Sequence, residues 1–254
     1  MIQLFHCTSP NVVKILIMLE ESRLDYQVTP IDIGKGEHLQ PEFLKVSLNA
    51  KLPAIIDHDP AGSSRPISVF ESGAILHYLA EKTGTFLPKD ITGRTEVMQW
   101  LFWQMANLGP ISGQNRHFLT FAPKLRPEVD FSYPRERYGN ENNRLYGCLN
   151  TRLSDRAFIA GEYSIADMAC YPWITFAKDL EQELRDFPHL ADWFTRVGER
   201  DAVRRAYMRN TEIANSCRWL GKGVEAGSTD EAAQRWEGIA ANAYFKTAQE
   251  VYKA

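Results

Sequence analysis

Two polar stretches stand where helices are predicted to begin, and either could hold an anion. Glu71-Ser72 follows the β-like run 67–70 and opens an apolar helical pattern that ends at Gly84. Backbone N–H groups at a helix N-terminus lack partners within the helix and carry its positive dipole end, so they favour a carboxylate. On the alternative interpretation, Ser72 is an ordinary helix cap and Glu71 a first-turn acid.

The second stretch is Ser9-Pro10-Asn11, which directly precedes an apolar run over residues 12–19. Ser9 suits the N-cap position and Pro10 the first helical position. A hydroxyl and an amide at the positive end of a helix could also stabilise an anion. The capping role and the binding role of Ser9 are compatible.

The four cysteines are Cys7, Cys148, Cys170 and Cys217, and they form neither a CxxC pair nor a metal-ligand spacing. We expect no disulfide, no metal and a reducing cytoplasm. Cys7 is an alternative nucleophile, but it lies at a strand end where nothing lowers its pKa. Cys148 and Cys170 lie in apolar helical stretches and are predicted core residues, whereas Cys217 has no assigned role.

Composition narrows the class of function. A net charge of −3 over 254 residues gives no global reason to expect a nucleic-acid partner. The first six residues indicate a strand rather than a signal peptide. The uncharged run 97–115 contains several amides and Gly109-Pro110, which we expect to break it, so it predicts a buried helix and no membrane contact.

The elements predict two domains of different character. Strands over 2–6, 26–31, 54–57 and 67–70, with helices between and after them, give a βαβ unit and then a ββα unit within residues 1–84. After a linker at 85–91, residues 92–210 are predicted to be all helical, and Ser164 to Asp167 has the pattern of a capping box. Residues 211–254 form an extension with a predicted helix over 229–252.

Several strings resemble the signatures of the glutathione transferase superfamily, in the family's order and spacing. They are Asn49-Ala50-Lys51-Leu52-Pro53-Ala54-Ile55, Phe70-Glu71-Ser72-Gly73-Ala74-Ile75 and Ala160-Gly161-Glu162-Tyr163-Ser164-Ile165-Ala166-Asp167. Finer features resemble the bacterial Nu class, which is related to the fungal prion-type nitrogen regulator: Ser9-Pro10-Asn11, Ile33-Gly34-Lys35-Gly36-Glu37, Trp100-Leu101-Phe102-Trp103-Gln104 and Gly113-Gln114-Asn115. The resemblance covers roughly residues 1–207.

The resemblance implies an α/β thioredoxin-like N-terminal domain that binds glutathione, followed by an all-α domain. Ser72 would hold the α-carboxylate of glutathione and Glu71 its ammonium group. Leu52 would precede a cis Pro53 and pair through its backbone with the cysteinyl part. Lys51 is placed for the glycyl carboxylate, although a solvated surface lysine is an equal alternative.

The resemblance also implies that Ser9 and Asn11 stabilise the thiolate of bound glutathione, since no tyrosine stands among residues 5–11 at the start of the first helix. His38 would contact glutathione and Arg137 a second glutathione molecule; both could instead be plain surface residues. Trp103 and Phe118, with Trp100, could line a second-substrate pocket or belong to the aromatic core.

The predicted function is a glutathione-dependent disulfide-bond oxidoreductase that uses the thiolate of bound glutathione rather than a protein cysteine. The alternatives are a transferase that conjugates glutathione to electrophiles and a non-catalytic scaffold or regulator. The expected partners are small thiols, disulfides or electrophiles. As the resemblance implies, we also expect a second copy of the chain in a homodimer.

Overall fold

The computed structural model describes residues 1–216, so the helix predicted over 229–252 lies outside the described residues. The chain divides into two compact units. The first contains Met1–Ile75 and the described residues from Ala206 onward, and the second contains Leu76–Arg205.

The first unit contains a four-stranded mixed sheet with the strand order β2-β1-β3-β4. Its strands are β1 Ile2–His6, β2 Tyr26–Pro30, β3 Ala54–Asp57 and β4 Ile67–Phe70. β1 pairs in parallel with β2 and antiparallel with β3, which in turn pairs antiparallel with β4. These pairings confirm the predicted βαβ and ββα units.

The helices of this unit follow the predicted order. They are α1 Pro10–Ser22, the short α2 Pro41–Leu44 and α3 Ser72–Thr83, which continues into the second unit. Two 3-10 turns, Ile33–Lys35 and Glu37–Leu39, lie between β2 and α2. Leu4 and Ile55 from the sheet and Leu16 from α1 are fully buried, and every residue of α1 from Val12 to Leu19 is buried as well.

The C-terminal part of the last described helix also belongs to the first unit. This helix, α10 Asp201–Ser216, continues beyond the boundary that the sequence placed at 210. Nε2 of buried His6 lies 3.0 Å from Oδ1 of Asn210. Burial lowers the pKa of His6 to about 4, so its imidazole is neutral at neutral pH.

The second unit is helical, as predicted. Its helices are α4 Ile91–Trp103, α5 Gly109–Arg116, α6 Ala122–Leu125, α7 Ser132–Arg152, α8 Ile165–Ile174 and α9 Pro188–Gly198, together with the first part of α10. Short 3-10 turns follow α8 at Lys178–Leu180 and Leu184–Asp186. Within the described residues, no helix is both long and apolar enough to cross a membrane.

The predicted break at Gly109-Pro110 is wrong, because the helical path continues through it. A π-helical turn, Gln104–Leu108, joins α4 to α5, and a second one, His117–Phe121, joins α5 to α6. The N–H of Gly109 donates to the carbonyl of Gln104, five residues back. This wider turn lets the chain pass a proline that lacks an N–H donor without ending the helix.

The start of α8 confirms the predicted capping box. The Ser164 hydroxyl accepts from the N–H of Ala166 at 3.3 Å, and the Asp167 carboxylate accepts from the N–H of Ser164 at 3.0 Å. Asp167 also accepts from the Ile159 N–H at 3.0 Å and from the Trp193 indole at 2.7 Å. Burial raises the pKa of Asp167 to about 6, although these hydrogen bonds act in the opposite direction.

Candidate functional site

The start of α1 is fixed by the sequence signal that predicted it. Ser9 has extended backbone angles, and its hydroxyl oxygen accepts from the Val12 N–H at 3.3 Å. Pro10 occupies the first turn, where its missing N–H costs nothing. Ser9 and Asn11 are both half-buried. The predicted N-cap is confirmed, and the side chains that could stabilise an anion stand at the positive end of the helix.

Cys7 lies just before this helix and differs sharply from Ser9. Its side chain is buried, with 4% of its surface exposed. Burial raises the pKa of the Cys7 thiol to about 11, against the smaller opposing effect of a hydrogen bond with Ser9. The thiol is therefore protonated at neutral pH, which makes it a poor nucleophile. Cys170 is fully buried, as predicted, whereas Cys148 is only half-buried.

The chain before β3 has an unusual backbone. The Leu52-Pro53 peptide bond is cis, as predicted. The Leu52 side chain packs against a buried cluster formed by Phe5, Ile31, Phe43 and Ala54. The side chain of Leu52 is thus committed to the core.

Lys51 is positioned through its backbone rather than its side chain. The Ser47 hydroxyl donates to the carbonyl of Lys51 at 3.0 Å, and the Ala50 N–H donates to the carbonyl of Ser47 at 2.9 Å. Ala50 has a φ of 52° in the left-handed region. The Lys51 side chain is exposed. The loop therefore holds the backbone next to Leu52 while the ammonium group stays in solvent.

Glu71 precedes α3 in a strained conformation. Its φ of 71° lies in the left-handed region, which costs a residue with a side chain about 1–2 kcal/mol. Its carbonyl accepts from the N–H of Ile75 at 2.9 Å, which starts the helix. The carboxylate is exposed and accepts from the Asn49 amide at 3.4 Å. Strain of this kind is typical of functional positions.

Ser72, the first residue of α3, is buried and contacts a residue that the sequence analysis overlooked. Nζ of Lys14 donates to the Ser72 hydroxyl at 3.2 Å. Lys14 lies in α1 and is 1% exposed. A signal for it was present, because Lys14 is the only charged residue in the apolar run 12–19.

His38 lies in the 3-10 turn Glu37–Leu39 and is half-buried. Burial lowers the pKa of His38, so its imidazole is neutral at neutral pH and can either donate or accept a hydrogen bond. The turn before it is held by the carboxylate of Glu37, which accepts from the Asp32 N–H at 2.7 Å. Gly36 permits this turn with a φ of 73°.

The second unit carries Arg137 and the aromatic candidates. Arg137 is exposed on α7. On the same helix, Tyr138 stacks on Phe118, with ring centroids 5.5 Å apart and planes within 7°. Trp100 packs edge-on against Trp103 at 5.2 Å.

A polar cleft of about 560 Å³ runs along α7. It is lined by Asn115, Ser132, Arg135, Glu136, Gly139, Asn140, Asn143, Leu180, Glu181 and Gln182. None of the predicted site residues lines this cleft. Among the described residues, no group of three or more His, Cys, Asp or Glu side chains could hold a metal ion.

Hydrogen bonds thus connect some of the predicted site residues to one another's elements, whereas other predicted residues lie elsewhere. The hydrogen bond from Asn49 ties Glu71 to the loop that carries Lys51. Lys14 ties Ser72 to α1, the helix that Ser9 caps. His38 lies in a separate turn of the same unit, and Arg137 lies in the other unit.

Two family models match parts of the chain. Residues 1–81 match the family described as "Glutathione S-transferase, N-terminal domain", and residues 115–201 match "Glutathione S-transferase, C-terminal domain". The chain is 46% identical over 210 residues to the disulfide-bond oxidoreductase YfcG of Escherichia coli K12, covering 82% of this chain and 95% of that protein.

Two solved structures are similar over most of the chain. A glutathione transferase family member from Pseudomonas fluorescens pf-5, with two glutathione bound, has a TM-score of 0.75 at 40% identity, covering 81% of this chain and 91% of the other. A glutathione transferase from Pseudomonas putida, with one glutathione disulfide bound per subunit, has a TM-score of 0.75 at 40% identity, covering 81% and 90%.

Proposed function

This chain belongs to the glutathione S-transferase family, as its sequence strings predicted, and we propose that it is a glutathione-dependent disulfide-bond oxidoreductase. The thiolate of bound glutathione attacks one sulfur of a substrate disulfide and releases the other as a thiol. A second glutathione attacks the mixed disulfide, which frees the second thiol and leaves glutathione disulfide. Two glutathione thiols are oxidised for each disulfide reduced.

One observation carries this proposal, namely the contrast between Cys7 and Ser9. Burial keeps the Cys7 thiol protonated, so the protein offers no reactive thiolate at this point. Ser9 instead presents a hydroxyl at the N-terminus of α1, where the helix favours negative charge by about 0.3–2 kcal/mol. Because one pKa unit corresponds to about 1.36 kcal/mol, this position can move a bound thiol with a pKa of about 8.5 toward neutrality.

Ser72, Glu71 and the loop that carries Lys51, Leu52 and Pro53 are proposed to hold glutathione itself. Ser72 takes the α-carboxylate of the γ-glutamyl group and Glu71 takes its ammonium group. The backbone of Leu52, beside Pro53, pairs with the cysteinyl part, and Lys51 takes the glycyl carboxylate. The fixed loop before Leu52 and the buried position of Ser72 support these roles.

Three further residues complete the proposed assignment. Asn11, beside Ser9 at the helix start, stabilises the thiolate. His38 contributes a neutral imidazole that hydrogen-bonds glutathione. Arg137 contacts the second glutathione, and its exposure on α7 suits an anionic partner.

The test is glutathione-dependent reduction of hydroxyethyl disulfide, coupled to glutathione reductase, in three variants. Ser9→Ala and Asn11→Ala should each lose roughly ten- to a hundredfold in rate, which is about 1.4–2.7 kcal/mol of transition-state stabilisation. Cys7→Ala should keep most of its activity. A dead Cys7→Ala enzyme beside normal Ser9→Ala and Asn11→Ala enzymes would show that a protein thiol performs the exchange.

The same preparations should be assayed with a chlorodinitrobenzene-type electrophile. Conjugation and disulfide reduction would use the same bound thiolate, so their relative rates decide which activity dominates. A higher rate of conjugation would favour the transferase over the oxidoreductase. Absence of both activities and of glutathione binding in a calorimeter would favour a scaffold.

We also propose that the protein is a cytoplasmic homodimer. β4 is an edge strand of the sheet, and it exposes two large apolar side chains, Ile67 and Phe70, which suit a surface covered by a second copy. Light scattering at micromolar concentration should return twice the 29.0 kDa mass of one chain. A mass of one chain would contradict the dimer.

A further inference from the structure

Lys14 is a buried lysine in the first helix of the chain. It lies within the apolar run 12–19 of α1, and only 1% of its surface is exposed. Lysine is among the residues least often found fully buried, since removing its ammonium group from water is costly. A lysine at a buried position is therefore explained either by a function of its amino group or by favourable packing of its side chain.

The contact that Lys14 makes connects two distant parts of the chain. Its Nζ donates to the hydroxyl of Ser72 at 3.2 Å, across a separation of 58 residues. An ammonium group has three donors and no acceptor, so the Ser72 oxygen must accept in this hydrogen bond. While it accepts from Lys14, the Ser72 hydroxyl can still donate its own proton.

The electrostatic surroundings of Ser72 point to an anionic acceptor. Ser72 is the first residue of α3, a helix of 12 residues whose dipole places positive charge at this end. A protonated Lys14 adds a full positive charge to the same position. Because this charge is buried, salt in the solvent screens it much less than a surface charge.

We propose that Lys14 is a positioning residue for the α-carboxylate of the γ-glutamyl group. This role rests on the proposed function, in which Ser72 binds that carboxylate. Lys14 orients the Ser72 hydroxyl as a donor toward the ligand and stabilises the carboxylate through its charge. It acts through Ser72 and takes no part in the chemistry at the thiol.

A purely structural role makes a different prediction. As a tie between α1 and α3, Lys14 would contribute to stability through its apolar stem and its hydrogen bond. Its loss would then lower the unfolding midpoint and would affect every ligand equally. The proposed role requires an effect that depends on the presence of one particular carboxylate.

The experiment uses two ligands and isothermal titration calorimetry. The first ligand is glutathione, and the second is γ-aminobutyryl-cysteinyl-glycine, which lacks only the α-carboxylate. Lys14→Met removes the charge and keeps the length of the side chain. We expect it to weaken glutathione binding by roughly ten- to a hundredfold and to change binding of the analogue by less than about twofold.

Lys45→Met is the matched control, because Lys45 is an exposed lysine of the same unit that pairs with Glu42 at 2.8 Å. It should leave both affinities unchanged. Equal weakening of both ligands by Lys14→Met, or no weakening of glutathione binding, would overturn the role of Lys14. Failure of the unmodified protein to bind glutathione would instead overturn the proposed function, and the role of Lys14 with it.

A measurement on the unmodified protein covers the case in which Lys14→Met does not fold. The ratio of the two dissociation constants reports the recognition of the α-carboxylate alone. If a buried cation recognises the α-carboxylate, the ratio of the two dissociation constants should change by less than about threefold between roughly 50 mM and 500 mM NaCl. A ratio that collapses as salt rises would assign the recognition to exposed charges and would overturn the proposal.

Discussion

The serines at the starts of α8 and α3 each have an acid close by in the sequence, yet the two serines have opposite surroundings. At the start of α8, Ser164 is accompanied by the buried carboxylate of Asp167, which completes the capping box. At the start of α3, Ser72 is accompanied by the buried ammonium of Lys14. Glu71, the acid beside Ser72, is exposed.

The difference shows how one local pattern can serve two purposes. In α8 the protein itself supplies the negative charge that a helix N-terminus favours, and four hydrogen bonds to protein groups hold that carboxylate. In α3 the protein places a second positive charge at the terminus, which suits a carboxylate brought by a ligand. The α8 terminus is therefore structural, and we propose that the α3 terminus is a binding site.

The largest effect should come from removing the acid at α8. Asp167→Ala leaves four buried donors without their acceptor, and they belong to Ile159, Ser164 and Trp193. We expect a loss of about 3–5 kcal/mol in the free energy of unfolding, measured by urea denaturation. Asp155→Ala, at an acid whose side chain is 68% exposed, should change it by less than about 0.5 kcal/mol. A small loss of unfolding free energy in Asp167→Ala would show that the capping box of α8 contributes little to stability.

The same substitution at the two serines should have crossed effects. Ser72→Ala should weaken glutathione binding by about 1–3 kcal/mol, the usual loss for a charge-assisted hydrogen bond. Ser164→Ala should leave binding unchanged and reduce stability by about 1 kcal/mol, the usual loss for an N-cap. Calorimetry and urea denaturation of both variants check this. If Ser72→Ala binds glutathione normally, the site assignment at α3 is wrong.

The smallest effect should come from the backbone of Glu71. Glu71→Ala and Glu71→Gly both remove the carboxylate, so both should weaken glutathione binding by about 1–3 kcal/mol. Glycine adopts a φ of 71° without strain whereas alanine does not, so the glycine variant should be more stable than the alanine variant by about 1 kcal/mol. Thermal unfolding of the pair measures this difference. An alanine variant as stable as the glycine variant would show that the conformation at this position carries no strain.

Much of the fold could be predicted because its signals are local. An N-cap joins residues within one turn, so Ser9 with Val12 and Ser164 with Asp167 could be identified from spacing alone. The strands were identified from their apolar runs and the turn residues between them. The cis bond before Pro53 came from the family resemblance, since most X-Pro bonds are trans.

Predictions from local sequence were wrong or incomplete where the surrounding structure holds an unfavourable residue in place. Gly109-Pro110 was expected to end a helix. The helix instead continues, because the π-helical turn before Pro110 changes the hydrogen-bond pattern at the point where proline has no N–H to donate. The left-handed conformation of Glu71 could not be predicted either, because a side chain at that position disfavours it. Only the surrounding structure can hold such a residue in place.

The sequence by itself determined the four strands, the starts of α1, α3 and α8, the family and the residue types available to bind an anion. The tertiary structure decided which charges meet. Lys14 reaches Ser72 across 58 residues, and Trp193 reaches Asp167 across 26. Burial, which depends on packing, keeps Cys7 protonated. Spacing along a chain fixes contacts within a turn, whereas contacts between elements depend on how their apolar faces pack.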